Sequence, residues 1–146
     1  MKWIFIAHLY YFLFTGYTNQ QVWVKAKMPE KVYAGDKFTI EITINKLDLQ
    51  HFAEYKQVLP AGFVPKVKKS GGADYSFKNN TVKYTWLRLP PEQKVTVSYE
   101  VQINENIKGK YTLPGQFVYF YKNQRGNATI NENMIQVFSK GEKLSK

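Results

Sequence analysis

The sequence predicts an all-β sandwich. Three observations carry that expectation. Apolar and polar residues alternate along several runs, those runs are short, and turns rich in Gly, Pro and Asn separate them every 8–12 residues or so. No stretch holds the 3.6-residue period of a long helix, and no unit of about 20–50 residues repeats. A length of 146 residues suits one domain.

The chain opens on a different pattern. Lys2 precedes an apolar run from Trp3 to Phe14, which ends at Thr15-Gly16-Tyr17-Thr18. A positive start followed by about a dozen apolar residues makes a secretory signal, shorter than the roughly 20 residues that span a bilayer. We expect residues 1–18 to be a signal peptide cut before Asn19, residues 19–139 the sandwich, and residues 140–146 a basic tail. A buried first strand or an uncleaved anchor is the alternative for the first segment.

Each later element follows from its own residues. Val22, Val24, Ala26 and Met28 alternate with Trp23, Lys25 and Lys27, which is the period of a half-buried strand. Tyr33-Ala34-Gly35-Asp36 makes a turn. Phe38, Ile40, Ile42 and Ile44 face inward along Phe38–Asn45, opposite Thr39, Glu41 and Thr43, and β-branched residues fit such a pleated surface. Residues 47–57 read either as a helical turn lined by Leu47, Phe52 and Tyr55 or as a loop and short strand. Leu59-Pro60-Ala61-Gly62-Phe63 turns the chain, and residues 63–69 form an edge strand. Pro65 lacks an N–H, and Lys66, Lys68 and Lys69 discourage edge pairing.

Ser70–Asp74 is a loop, and Asn79-Asn80 joins two alternating runs as a two-residue hairpin. Val82, Tyr84 and Trp86 share one face. After Leu89-Pro90-Pro91-Glu92, residues Val95, Val97, Tyr99, Val101 and Ile103 alternate with polar partners. A loop is expected over 104–110. The run 117–121 is apolar on both faces. Asn123–Asn127 reads as a turn, and Met134–Phe138 closes the domain.

Composition removes several chemistries. The chain has no cysteine, so disulfides, thiol catalysis and Cys-ligated metals are excluded. The sheets are therefore expected to hold together by packing alone. Apolar residues at 44% exclude wholesale disorder. The net charge is +10, and loss of residues 1–18 would remove only Lys2 from it.

The order of features resembles a known group. Val32-x-Ala34-Gly35-Asp36, the strand from Phe38, Leu59-Pro60-Ala61-Gly62-Phe63, Gly71-Gly72, Asn80-Thr81-Val82-x-Tyr84-x-Trp86, Leu89-Pro90-Pro91 and Val95–Val101 follow one another. This is similar to the immunoglobulin-like conserved-repeat domains of bacterial surface and envelope proteins, over about residues 22–103. The resemblance implies an immunoglobulin-like sandwich of about seven to nine strands with a structural or adhesive role outside the cytoplasm. It supplies no catalytic motif. Two departures stand out: the bulky Phe52 and Tyr55 where the group often has an Asn/Thr-rich turn, and the region from Gly109 to Phe138 beyond the usual unit.

The search for chemistry gives no catalytic, cofactor or metal residue. His51 follows Asp48 by three residues, yet no G-x-S-x-G nucleophile elbow occurs. Met28 and Met134 are expected in the core. Two surfaces remain. Lys25, Lys27 and Lys31, with Lys66, Lys68 and Lys69, form a candidate contact for an anionic partner such as a glycan. Trp23, Phe120 and Tyr121 form a candidate aromatic contact. The expected function is an exported, non-enzymatic module, periplasmic or at the cell surface, that binds an envelope protein. The alternative is a carbohydrate-binding module that uses exposed, coplanar aromatics. Neither nucleic acid nor a stable membrane span is expected.

Overall fold

The structure, a computed structural model, describes residues 21–131 and 133–144. The expected signal segment lies outside the described residues. Twelve strands form three sheets. They are β1 (Trp23–Lys27), β2 (Lys31–Tyr33), β3 (Lys37–Asn45), β4 (Ala53–Val58), β5 (Phe63–Lys69), β6 (Asp74–Lys78), β7 (Thr81–Trp86), β8 (Lys94–Ile103), β9 (Gly109–Thr112), β10 (Gly115–Tyr121), β11 (Gln124–Ile130) and β12 (Met134–Phe138). A short helix, α1, covers Lys140–Leu144. One sheet runs β1-β3-β8-β5, the second β11-β10-β4-β7-β6, and a small third sheet β2-β12-β9. Only the β2–β12 pairing is parallel.

The four- and five-stranded sheets form the two layers of the sandwich. Strict alternation turns Ile40, Ile42 and Ile44 of β3 and Val95, Val97, Tyr99, Val101 and Ile103 of β8 inward. They join one core with Ala53 and Tyr55 of β4, Val82, Tyr84 and Trp86 of β7, and Phe117 of β10. Burying a large apolar side chain stabilises by about 1.5–3 kcal/mol, so this core dominates the energetics.

Packing is not the whole bond between the layers, contrary to the expectation from the missing cysteines. Tyr84 of the five-stranded sheet donates its hydroxyl proton to the carbonyl of Ser98 in the four-stranded sheet at 2.8 Å. Tyr99 donates in the opposite direction, to Oε1 of Gln57. Gln57 in turn donates from Nε2 to the carbonyl of Leu113 at 3.0 Å, which satisfies a fully buried amide.

Several local expectations change. Of the two readings of residues 47–57, the loop and short strand is the one formed: β4 is an inner strand with Tyr55 fully buried, while Phe52 before it stays exposed. The loop expected over 104–110 ends earlier, because β9 starts at Gly109. The turn expected at Asn123–Asn127 is the two residues Lys122 and Asn123, both at positive φ, and Gln124–Asn127 lie in β11. Asn79-Asn80 forms the other two-residue turn, at φ 53° and 57°. Met28 packs on the core, but Met134 is 53% exposed at the start of β12. Trp86 donates from Nε1 to the carbonyl of Gly71 at 2.8 Å. A Cβ at Gly71 would stand 2.9 Å from Val95, and its φ of 57° also favours glycine there.

Candidate functional site

The lysines singled out from the sequence do not converge. Lys25 and Lys27 lie on β1, at one edge of the four-stranded sheet, and Lys66, Lys68 and Lys69 on β5, at the other. Lys31 belongs to β2 in the third sheet. Acids interleave with them: Lys27 sits opposite Glu41, and Lys66 opposite Glu100. Lys68 donates to Oγ1 of Thr39 at 3.3 Å.

The aromatic candidates separate as well. Trp23 lies on the outer face of the four-stranded sheet, half-buried and capped by cations. Lys25 Nζ is 4.7 Å and Lys94 Nζ 5.6 Å from the ring centroid. Phe120 and Tyr121 are successive residues of β10, so they point to opposite faces of the other sheet. Phe120 instead meets Phe52, the bulky residue before β4. Their centroids are 6.2 Å apart with planes tilted by 51°, and each ring is 37% exposed. A tilted pair leaves an apolar knob on the surface rather than a flat platform.

That knob occupies one end of the outer face of the five-stranded sheet. The other end is basic. In register, Lys56 of β4 stands directly opposite Lys83 of β7, and Lys83 is opposite Ser76 of β6. Gln116 of β10 flanks Lys56 on its other side. Lys78, at the end of β6, completes the set. An open groove of about 700 Å³ crosses all five strands here. Lys56 is held by Glu54 at 2.9 Å. The side chains of Lys78 and Lys83 make no ion pair or hydrogen bond among the described residues. The residue types were visible in the sequence, but the convergence of these strands was not.

His51 is exposed in the loop before β4. No group of three or more His, Cys, Asp or Glu residues is placed to hold a metal ion. No described helix is long and apolar enough to cross a membrane.

No protein-family model and no curated protein matches the chain. Solved structures do. The chain is similar to a non-cellulosomal cohesin from the hyperthermophilic archaeon Archaeoglobus fulgidus, at 10% identity, over 84% of this chain and 96% of that one, with a TM-score of 0.50. Further matches are the second type II cohesin module of a cellulosomal adaptor scaffoldin from Acetivibrio cellulolyticus and the chitin-binding domain of a chitinase from Pyrococcus furiosus. The former has 11% identity, covers 84% of this chain and 94% of that one, and has a TM-score of 0.47. The latter has 17% identity, covers 73% and 98%, and has a TM-score of 0.45. The likeness to the archaeal module shows the fold: an all-β sandwich of immunoglobulin-like kind, here built without a disulfide.

Proposed function

We propose that this chain is an exported, non-enzymatic binding module of the cell envelope that docks a protein partner through the outer face of its five-stranded sheet. The observation that carries the reading is the Phe52–Phe120 pair. Two large apolar rings stand a third exposed on a face whose backbone is already paired within the sheet. Aromatic side chains that close a pocket on a partner supply much of the energy of a protein interface. The tilt between the rings favours a protein over a flat sugar ring, which stacks best on coplanar aromatics. The apolar run after Lys2 supports export to the periplasm or cell surface.

The order of motifs supports placing the chain with the bacterial conserved-repeat domains. Ala34 and Trp86 are core residues, and Gly35 and Gly62 take the positive φ that their turns need. What the solved relatives are named for, cohesin and chitin-binding modules, agrees with a binding role.

The test is crosslinking in native envelope, comparing the protein with a Phe52→Ser/Phe120→Ser double variant. One envelope protein at stoichiometric yield, lost with the double variant, is the expected result. Equal recovery by both forms overturns the docking face. Sequencing the mature N-terminus checks export: a start at Asn19 is expected, and a start at Met1 removes the cleavage step.

A further inference from the structure

The basic end of the same face lies apart from the aromatic pair. We infer that the groove around Lys56, Lys78 and Lys83 binds an anionic glycan. Like charges directly opposite on neighbouring strands destabilise a sheet, and Lys56 and Lys83 are so placed. Glu54 offsets the charge of Lys56 alone. Lys78 and Lys83 make no ion pair among the described residues, and none of the described residues that line the groove is an acid. A bound anion relieves that repulsion, which is charge complementarity in its simplest form.

The rest of the lining argues for a sugar chain rather than an acidic peptide. Ser76, Thr81, Gln116 and Thr129 present hydroxyls and an amide along the groove. Such groups both donate and accept, as sugar hydroxyls do. An extended peptide instead pairs its backbone with a free sheet edge. This groove runs across the strands at one end of the face, and the three inner strands it crosses are already paired on both sides. Five strands at about 4.8 Å spacing give it a length of about 19 Å, enough for an oligomer rather than a single ring. The ammonium groups recognise carboxylate, sulfate or phosphate alike, so the source of the charge is a question for experiment.

The inference rests on the binding-module reading only in taking this face as free surface, and the Phe52→Ser/Phe120→Ser variant tests that reading separately. Binding of the protein to dextran sulfate, polygalacturonate, neutral dextran and poly-glutamate is measured by titration calorimetry. We expect an acidic glycan to bind, dextran not to bind, and affinity to fall about tenfold as salt rises from about 50 to about 300 mM. The tighter of the two acidic glycans shows whether sulfate or carboxylate is preferred. Lys78→Gln/Lys83→Gln is expected to weaken binding about tenfold or more, while Lys66→Gln/Lys68→Gln on the other sheet costs less than about threefold. Thermal melts of both variants confirm that the sandwich is intact. Failure of both acidic glycans to bind, equal losses in the two variants, or poly-glutamate bound as tightly as the glycans each overturns the inference.

Discussion

Gly115 and Tyr55 fix one another across β10 and β4. A Cβ on Gly115 would stand 3.0 Å from Cζ of Tyr55 and closer still to its hydroxyl. That hydroxyl is fully buried and has no hydrogen-bond partner. The glycine thus makes room for a polar atom that contributes nothing in return. Gly115→Ala is expected to lower stability by about 1–3 kcal/mol through overpacking. Tyr55→Phe is expected to raise it by about 1 kcal/mol, because an unsatisfied buried group disappears. In the double variant the alanine costs less, since its nearest obstacle has gone. Urea unfolding of the four proteins measures this coupling, and strict additivity refutes the contact.

Alkaline pH attacks the same core. Tyr55, Tyr84 and Tyr99 are fully shielded, and burial holds each phenol well above the ordinary tyrosine range. Phenols nearby reinforce the shift. The unfolded chain releases these protons near pH 10 while the native state keeps them. The unfolded state then binds fewer protons, so stability falls as pH rises. Each tyrosine contributes about 1.4 kcal/mol per pH unit, and the three together about 4. Against a typical stability of about 5–15 kcal/mol, cooperative unfolding is expected between about pH 11 and pH 13. Circular dichroism and phenolate absorbance should change together. A sandwich intact beyond about pH 13 contradicts the assignment.

The sequence revealed the long strands better than the short ones, for physical reasons. β3 and β8 alternate over nine and ten residues, and their inward positions are large and mostly β-branched. β4 hides its inward face, because Ala53 is small and Gln57 polar. Gln57 is tolerated inside only because Tyr99 and the Leu113 carbonyl satisfy it, and both lie far along the chain. β9 is four residues long and mostly exposed, so it leaves no period to read. The basic groove was hidden for a related reason. Lys56, Lys78 and Lys83 come from three strands, and only the register of those strands brings them together. Local clusters such as Lys66, Lys68 and Lys69 catch the eye, yet they sit on an edge strand against Glu100, Thr39 and Ser98 rather than beside the other lysines.

Lys46 is the one fully buried lysine among the described residues. Its Nζ donates to the carbonyl of Leu49 at 2.8 Å and of Leu47 at 3.3 Å, tying down a loop in which Leu47 takes φ 56°. Burial pulls the ammonium below its usual range, and the carboxylates of Glu92 and Asp48 oppose that pull. Lys46→Met keeps the stem but strands both carbonyls, so a loss of about 1–3 kcal/mol is expected. Between the lowered folded value and 10.5 the unfolded chain binds more protons, so this lysine makes stability rise with pH. Methionine removes that rise. The gap between the two proteins should therefore widen as pH rises towards about pH 10, where the tyrosines affect both alike. A constant gap rules out the linkage.

The two-residue turns offer a matched comparison. Lys122 and Asn123 join β10 to β11 at φ 49° and 62°, and Asn79 and Asn80 join β6 to β7 at 53° and 57°. Hairpins of this kind require left-handed backbone at both positions, which asparagine tolerates and lysine resists. The strain at Lys122 is about 1 kcal/mol. Part of it returns through the ammonium, 5.3 Å from the centroid of the Tyr121 ring, a contact of about 0.5 kcal/mol at an exposed site. Lys122→Asn is therefore expected to stabilise by about 0.5 kcal/mol, the difference between those terms. Asn79→Lys has no such ring contact to gain, so it should cost nearer the full 1 kcal/mol or so. Denaturant midpoints at unchanged slope measure both. A loss at position 122, or no effect at 79, means that tertiary contacts rather than backbone preference set these turns.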